Sequence, residues 1–409
     1  METIRDRVAG LDVHRDTVVA CVRLAASGSV RTEKRSFSTM SMGVAELAGW
    51  LAEHDISTAV MESTGVYWKP VYYGLEGLVG ELWLVNAAHV KRVPGRKTDL
   101  SDAEWLADVA AHGMVRPSFV PPPPIRELRE LTRYRKTQID ARVREIQRLE
   151  KLLQDAGIKL TSVASRTWSK SSAAMVEAMI AGERDPVVLA ELSKSRMRAK
   201  KAQLVEALAG RFSDHHGVVA RQILDHIAFL DTSIASLTAE IAERVRPFEP
   251  AIELLCGIPG WGRGIAEVFI AETGGDMTVF PTAGQLAAWS GMAPGSHESA
   301  GKRKPVGAPH GNRWLGRVLI EAARAAARTK NTYLAAQYRR LAARRGPNKA
   351  SVAVAHSMVV SAWHMLSTGE IYRELGADYF RQRDDPERVA RRLTQQLENL
   401  GYTVSLTAA

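Results

Sequence analysis

Strand-like alternation is confined to the first ninety or so residues of this 409-residue chain, and four prolines at 121–124 separate it from a remainder that reads as helix. Segments 8–13, 17–23 and 29–37 are short, apolar or alternating, and joined by turns with charge or glycine at their tips, which predicts a three-stranded meander. Residues 42–54 put Val44, Leu47 and Leu51 at helical spacing, and an apolar strand at 57–61 ends at Glu62. A helix at 67–78, a strand at 81–85, a basic loop at 91–97 and a helix at 100–111 follow. The order βββαβαβα predicts an α/β domain whose first strands are antiparallel and whose later strands are joined by helical crossovers. The prolines form a stiff extended segment that ends it.

The rest divides on composition. Residues 126–155 are rich in Arg, Glu, Leu and Gln, and Ile223, Ile227, Leu230, Ile234, Leu237, Ile241 and Val245 make a narrow apolar seam. That is the pattern of a coiled coil or a long antiparallel helix pair, and an intramolecular hairpin or a dimer satisfies it equally. Pro247 and Pro250 close the region, short helices are expected to about residue 366, and the charged tail reads as a peripheral helix with an extended end. The expected divisions are 1–118, 119–250, 251–368 and 369–409, in line with a prior of two or three domains.

Charge narrows the partner. The formal net charge is +10, yet residues 301–350 carry thirteen cations against Glu321 alone, a local +12. So strong a basic block predicts a salt-sensitive nucleic-acid footprint without distinguishing RNA from DNA. Trp314, Tyr333 and Tyr338 lie near these cations; helix packing is the expected role for all three, ahead of stacking on bases. Cys21 and Cys256 cannot form a disulfide framework or a CxxC zinc site. With no signal-like start and no apolar run near ~18 residues, a soluble cytoplasmic protein with no membrane partner is expected.

Three constellations carry possible chemistry. Asp12 lies inside an apolar strand, Glu62 at the end of another, and Asp99 and Asp102 are at i and i+3 on a helix. A lone strand carboxylate is costly to bury unless paired, protonated or bound to metal, and acids converging from separate elements suit Mg²⁺. Gly257-Ile-Pro-Gly-Trp-Gly-Arg-Gly264 resembles a helix-hairpin-helix turn, where Gly260 and Gly262 would let backbone N–H groups approach a phosphate. Ser299 sits in a glycine-bearing loop followed by Lys302, Arg303 and Lys304 and then by Gly311-Asn312-Arg313. On chemistry alone this is a phosphate-binding loop whose serine donates a hydrogen bond.

Together these residues resemble the transposases of the IS110 insertion-sequence family. Asp12, Glu62, Asp99 and Asp102, in that order, resemble the DEDD set of its RuvC-like, ribonuclease-H-like domain, and the Ser-x-Gly-Lys element at 299–302 matches its nucleophilic serine. The resemblance covers about 8–115 and 255–366. It implies a RuvC-like domain, a helical coiled-coil spacer and a mainly α serine transposase domain. It also implies Mg²⁺ or Mn²⁺ at the four acids, serine attack on DNA with a phosphoserine link, and an active site shared between subunits of a dimer or tetramer. The partners it implies are donor and target DNA and a structured element-encoded guide RNA, near the bacterial nucleoid. Two positions depart from the family pattern: His310 replaces a basic residue, and Leu315-Gly316-Arg317 replaces Leu-Arg. The alternatives are a metal-dependent nuclease or junction resolvase without serine catalysis, an actin-like kinase or ATPase around Gly10-Leu-Asp12, and a non-catalytic nucleic-acid scaffold.

Overall fold

The computed structural model describes residues 3–26, 29–63, 65–91, 93, 101–164, 169–295, 298–299, 301–303, 307, 310–383 and 386–407. Two units divide after Val120.

In the first unit β1 (Arg7–Val13), β2 (Thr17–Ala26) and β3 (Ser29–Ser38) form the expected meander. Then come α1 (Ser41–Glu53), β4 (Thr58–Glu62), α2 (Trp68–Leu75), β5 (Glu81–Val85), the short α3 (Ala87–Val90) and α4 (Asp102–Ala111). The sheet order is β3-β2-β1-β4-β5, with β4 parallel to both β1 and β5. The edge strand β3 carries Arg31, Glu33, Lys34 and Arg35, charges that discourage pairing with another chain.

Both faces of the sheet are covered. Ala9, Leu11 and Val13 of β1 pack with Val44, Leu47, Trp50 and Leu75 from α1 and α2. Val8, with Val60 and Val85, packs instead with Trp105, Leu106, Val109 and Ala110 of α4. Strand residues alternate between faces, so Gly10 and Asp12 share Val8's side, under α4. A Cβ at Gly10 would lie 1.9 Å from the Ala103 carbonyl oxygen and 2.6 Å from the Ala107 nitrogen. Only glycine lets the helix backbone come this close to the strand.

The second unit opens with α5 (Pro123–Asp155). Here the structure corrects half of the expected extended proline segment: Pro121 and Pro122 precede the helix, with Pro122 extended, but Pro123 and Pro124 are helical, because a first helical turn needs neither a free φ nor the missing N–H. The partner of the apolar seam is α5 itself. Arg244 of α10 (Asp214–Arg244) reaches Glu127, Arg142 reaches Asp231, and His226 lies 3.4 Å from Glu145, so the helices run antiparallel as an intramolecular hairpin. Between them α6 (Leu160–Val163), α7 (Lys170–Ile180), α8 (Pro186–Glu191), a 3₁₀ turn (Ser195–Lys200) and α9 (Lys201–Leu208) form a helical cap. Its core contains Leu149, Leu153, Ile158, Met175, Leu204 and Phe212.

Next come α11 (Glu249–Cys256), α12 (Arg263–Thr273), α13 (Ala283–Trp289), a two-stranded hairpin of β6 (Glu298–Ser299) and β7 (Lys302–Arg303), α14 (Arg313–Ala326), α15 (Tyr333–Arg345) and α16 (Pro347–Thr368). At 22 residues α16 is longer than the short helices expected, and Val354, Ala355, Met358, Val359 and Ala362 are buried along it. The tail forms α17 (Tyr379–Arg383), whose Tyr379 and Phe380 pack on Tyr333, and the largely exposed α18 (Pro386–Glu398). Among the described residues no helix is long and apolar enough to cross a membrane.

Candidate functional site

Two acids meet at the end of the first sheet. Leu11 of β1 pairs in register with Met61 of β4, so the next residues, Asp12 and Glu62, lie on strands ~4.8 Å apart. By alternation both belong to the α4 face. Asp102 is the first residue of α4, whose N-cap Ser101 accepts from the Glu104 N–H at 3.4 Å. The close approach at Gly10 brings that helix end to β1, and two ion pairs hold it there. Arg23 of β2, buried, lies 3.3 Å from Asp108, and Lys34 of β3 lies 2.6 Å from Glu104.

Electrostatics register the convergence. Burial raises the Asp12 carboxyl above the usual carboxylate range, His14 at 3.2 Å lowers it, and the charge of Asp102 raises it again. Asp12 and Asp102 therefore feel one another. Hard oxygen donors that repel each other fit a divalent cation, which relieves their repulsion and shares its coordination with phosphate oxygens. No preformed cage of three His, Cys, Asp or Glu groups is present among the described residues. Asp99 lies outside them, as does most of the 91–97 loop.

In the second unit Ser299 is on a β-hairpin, where a simple loop was expected. It pairs with Lys302, Glu298 pairs with Arg303, and Gly301 supplies the positive φ of the turn. The base of the loop is closed by two glycines: a Cβ at Gly311 would lie 2.1 Å from the Gly291 nitrogen, and the Asn312 N–H donates to the Trp289 carbonyl at 2.9 Å. Lys302 is exposed, and Lys304 lies outside the described residues.

Asn312, a nucleic-acid contact by expectation, has both ends of its amide engaged within the protein. Its Oδ1 caps α14 by accepting from the Trp314 and Leu315 N–H groups at 3.0 and 3.1 Å, and its Nδ2 donates to Glu272 at 2.6 Å. Glu272 is fully buried and also accepts from Arg133 of α5 at 2.7 and 2.8 Å. Arg129 donates to the Glu272 and Ala271 carbonyls. This buried network ties the hairpin helix to the neck of the serine loop. No local pattern marks it, because its partners are 139 and 40 positions apart.

The glycine turn between α11 and α12 is likewise braced. Gly260 (φ +88°) packs on α14, where a Cβ would meet the Ala322 carbonyl at 2.6 Å, while Gly262 caps α12 in open space. Arg263 pairs with Glu249 and Glu267, and Glu267 with Arg135 of α5. Arg313, Arg317, Arg324 and Arg328 of α14 and its exit, and Arg339, Arg340, Arg344 and Arg345 of α15, are exposed. The one acid of this block, Glu321, pairs with Lys136 at 2.9 Å. Trp314 is half-buried between Arg133 and Arg313.

Comparison with known proteins gives two family matches. A family model described as a transposase matches residues 9–158, and the model of the transposase IS116/IS110/IS902 family matches residues 252–339. The transposase for insertion sequence element IS1111A of Coxiella burnetii is 24% identical over 376 residues, covering 90% of this chain and 91% of that protein. An uncharacterized 42 kDa protein of insertion element IS900 from Mycobacterium paratuberculosis is 31% identical over 222 residues, 50% of this chain. That match spans only about half, 54%, of the relative's length.

Proposed function

Because the chain belongs to the IS110 family of transposases, we propose that it cuts and rejoins insertion-sequence DNA by serine attack, assisted by a carboxylate-held divalent cation. The observation that supports the reading is the placement of Asp12 and Glu62 at the same end of neighbouring strands β1 and β4, with Asp102 close enough to raise the Asp12 carboxyl. The strand order β3-β2-β1-β4-β5 supports a ribonuclease-H-like, RuvC-like domain.

Asp12, Glu62 and Asp102, with Asp99, would hold Mg²⁺ or Mn²⁺, which when bound supplies Lewis-acid polarisation of a phosphate. The Ser299 hydroxyl oxygen would displace a deoxyribose oxygen at phosphorus, leaving a phosphoserine ester that conserves the bond for rejoining. Lys302, Arg303 and Lys304 would offset the phosphate charge, with Arg313 and the turn at Gly260 and Gly262 gripping the backbone on either side. The exposed cations of α14 and α15 support nucleic-acid binding, and the partners in this reading are donor and target DNA and a structured guide RNA, held by a dimer or tetramer.

Transposition assays on Asp12→Ala and Ser299→Ala test the reading. Both variants are expected to fold with wild-type circular dichroism and to lose transposition. Wild-type frequency in either one overturns it.

A further inference from the structure

A second basic surface lies at the far end of the helical hairpin. Lys194, Arg196, Arg198, Lys200 and Lys201 place five cations in eight residues with no acid among them. Four of them are exposed, and the 3₁₀ turn that carries them is held rather than loose. Ser195 has φ +50°, the Lys194 N–H donates to Ser171 Oγ at 2.9 Å, and Lys200 Nζ donates to the Val163 carbonyl at 3.0 Å. Ser169 Oγ meets Met197 Sδ at 3.9 Å, so the turn folds back on the start of α7 and adds exposed Lys170 to the cluster.

Three acids in and beside the cap are already paired. Glu177 pairs with Arg221, Asp214 with Arg184, and Glu191 with Lys201. Among the described residues Lys170, Lys194, Arg196, Arg198 and Lys200 have no carboxylate partner, and α7 has no acid in its first turn. Clustered like charges repel, and a solvated face would ordinarily intersperse both signs. The spacing is also informative. From Arg133, joined to Glu272, to Asp155 at the end of α5 is ~33 Å of helix, close to the ~34 Å of one duplex turn.

We propose that the hairpin tip, through Lys170, Lys194, Arg196, Arg198 and Lys200, is a second phosphodiester-backbone site that holds nucleic acid about one duplex turn away from the neck of the serine loop. The proposal rests on the transposase reading and adds to it a non-sequence-specific clamp.

The test measures Kd against salt for the full chain on a DNA duplex of about 30 base pairs, roughly three turns, and on an RNA hairpin of similar length. Each lost phosphate contact lowers the salt slope by ~0.9 on duplex DNA, so Lys170→Ala/Lys194→Ala/Arg196→Ala should lower it by ~2–3 and weaken binding about tenfold or more at low salt. The charge-preserving Lys170→Arg/Lys194→Arg/Arg196→Lys should keep the wild-type slope, and both variants should keep the wild-type unfolding midpoint. A loss on DNA alone, RNA alone or both supports the site and identifies which backbone it holds. Wild-type binding with an unchanged slope and Kd in the triple alanine variant on both probes overturns the tip alone, as an acidic protein partner at that surface would produce. A wild-type chain that binds neither probe overturns the transposase reading as well.

Discussion

Gly10→Ala isolates the packing that brings Asp102 to Asp12. The added methyl would lie 1.9 Å from the Ala103 carbonyl oxygen, which is helix backbone and has no rotamer to escape into. Restoring an ordinary contact of about 3.4 Å requires α4 to retreat by roughly 1.5 Å, and overpacking of this kind costs about 1–3 kcal/mol. The ion pairs Arg23–Asp108 and Lys34–Glu104 resist the retreat, so the strain is shared between helix and sheet. Thermal unfolding of the first unit should shift down by roughly 4 °C or more. Misplacing a catalytic group by about 1 Å can lower rate ~100-fold, so transposition frequency should fall by about that factor even where the variant stays folded. Gly49→Ala is the control: it is a helical glycine with nothing within 4 Å of its Cβ position, and the change should stabilise α1 by up to about 1 kcal/mol without touching activity. If Gly10→Ala unfolds and transposes like wild type, α4 does not need its close approach to β1 and the reasoning fails.

Two further outcomes follow from the buried groups. Glu272→Gln removes the charge facing Arg133 and turns an amide donor toward Arg133 or Asn312, so it should cost about 3–5 kcal/mol in urea unfolding, whereas Glu177→Gln at the exposed Arg221 pair should change stability little. Equal, small losses would show that the network does not join α5 to the serine-loop neck. Burial raises the Cys21 thiol to about 11, so the folded state keeps a proton that the unfolded state gives up near its ordinary 9.0. Its contribution to stability is full below pH 9 and is lost as pH rises toward 11, and Cys21 should resist alkylation in the native protein at pH 8. Rapid native alkylation at Cys21 would contradict its burial.

The first unit was legible because its signals are local. Strand alternation and helical spacing place β1 to β5, α1, α2 and α4 within a few residues, and put Asp12 and Glu62 near the ends of their strands. What escaped has no local cause. Gly10 lies within the expected strand 8–13, where nothing local shows that α4 packs on it, and Glu272 finds Arg133 and Asn312 139 and 40 positions away. The seam at 223–245 could not name its partner, since an apolar stripe accepts any matching stripe; the pairing of Glu127, Asp231 and Glu145 across α5 and α10 specifies the intramolecular one. Asn312 was expected only as a nucleic-acid contact, and the fold shows it as the N-cap of α14. The hairpin at Ser299 is two residues a side, too short for any period to register. The Lys194–Lys201 cations are diluted in a wide window by Glu177, Glu183, Asp185 and Glu191.

The most direct measurement of the central claim is to trap the covalent intermediate. Full-length protein, a divalent cation and a suicide DNA carrying the element junction are quenched in denaturant, and the protein-linked DNA is digested and mapped by mass spectrometry. The account predicts a phosphodiester adduct on the peptide containing Ser299, absent in Ser299→Ala and in reactions with chelator. DNA cleaved at the wild-type rate by Ser299→Ala, with no protein-linked product from the wild type, would contradict it.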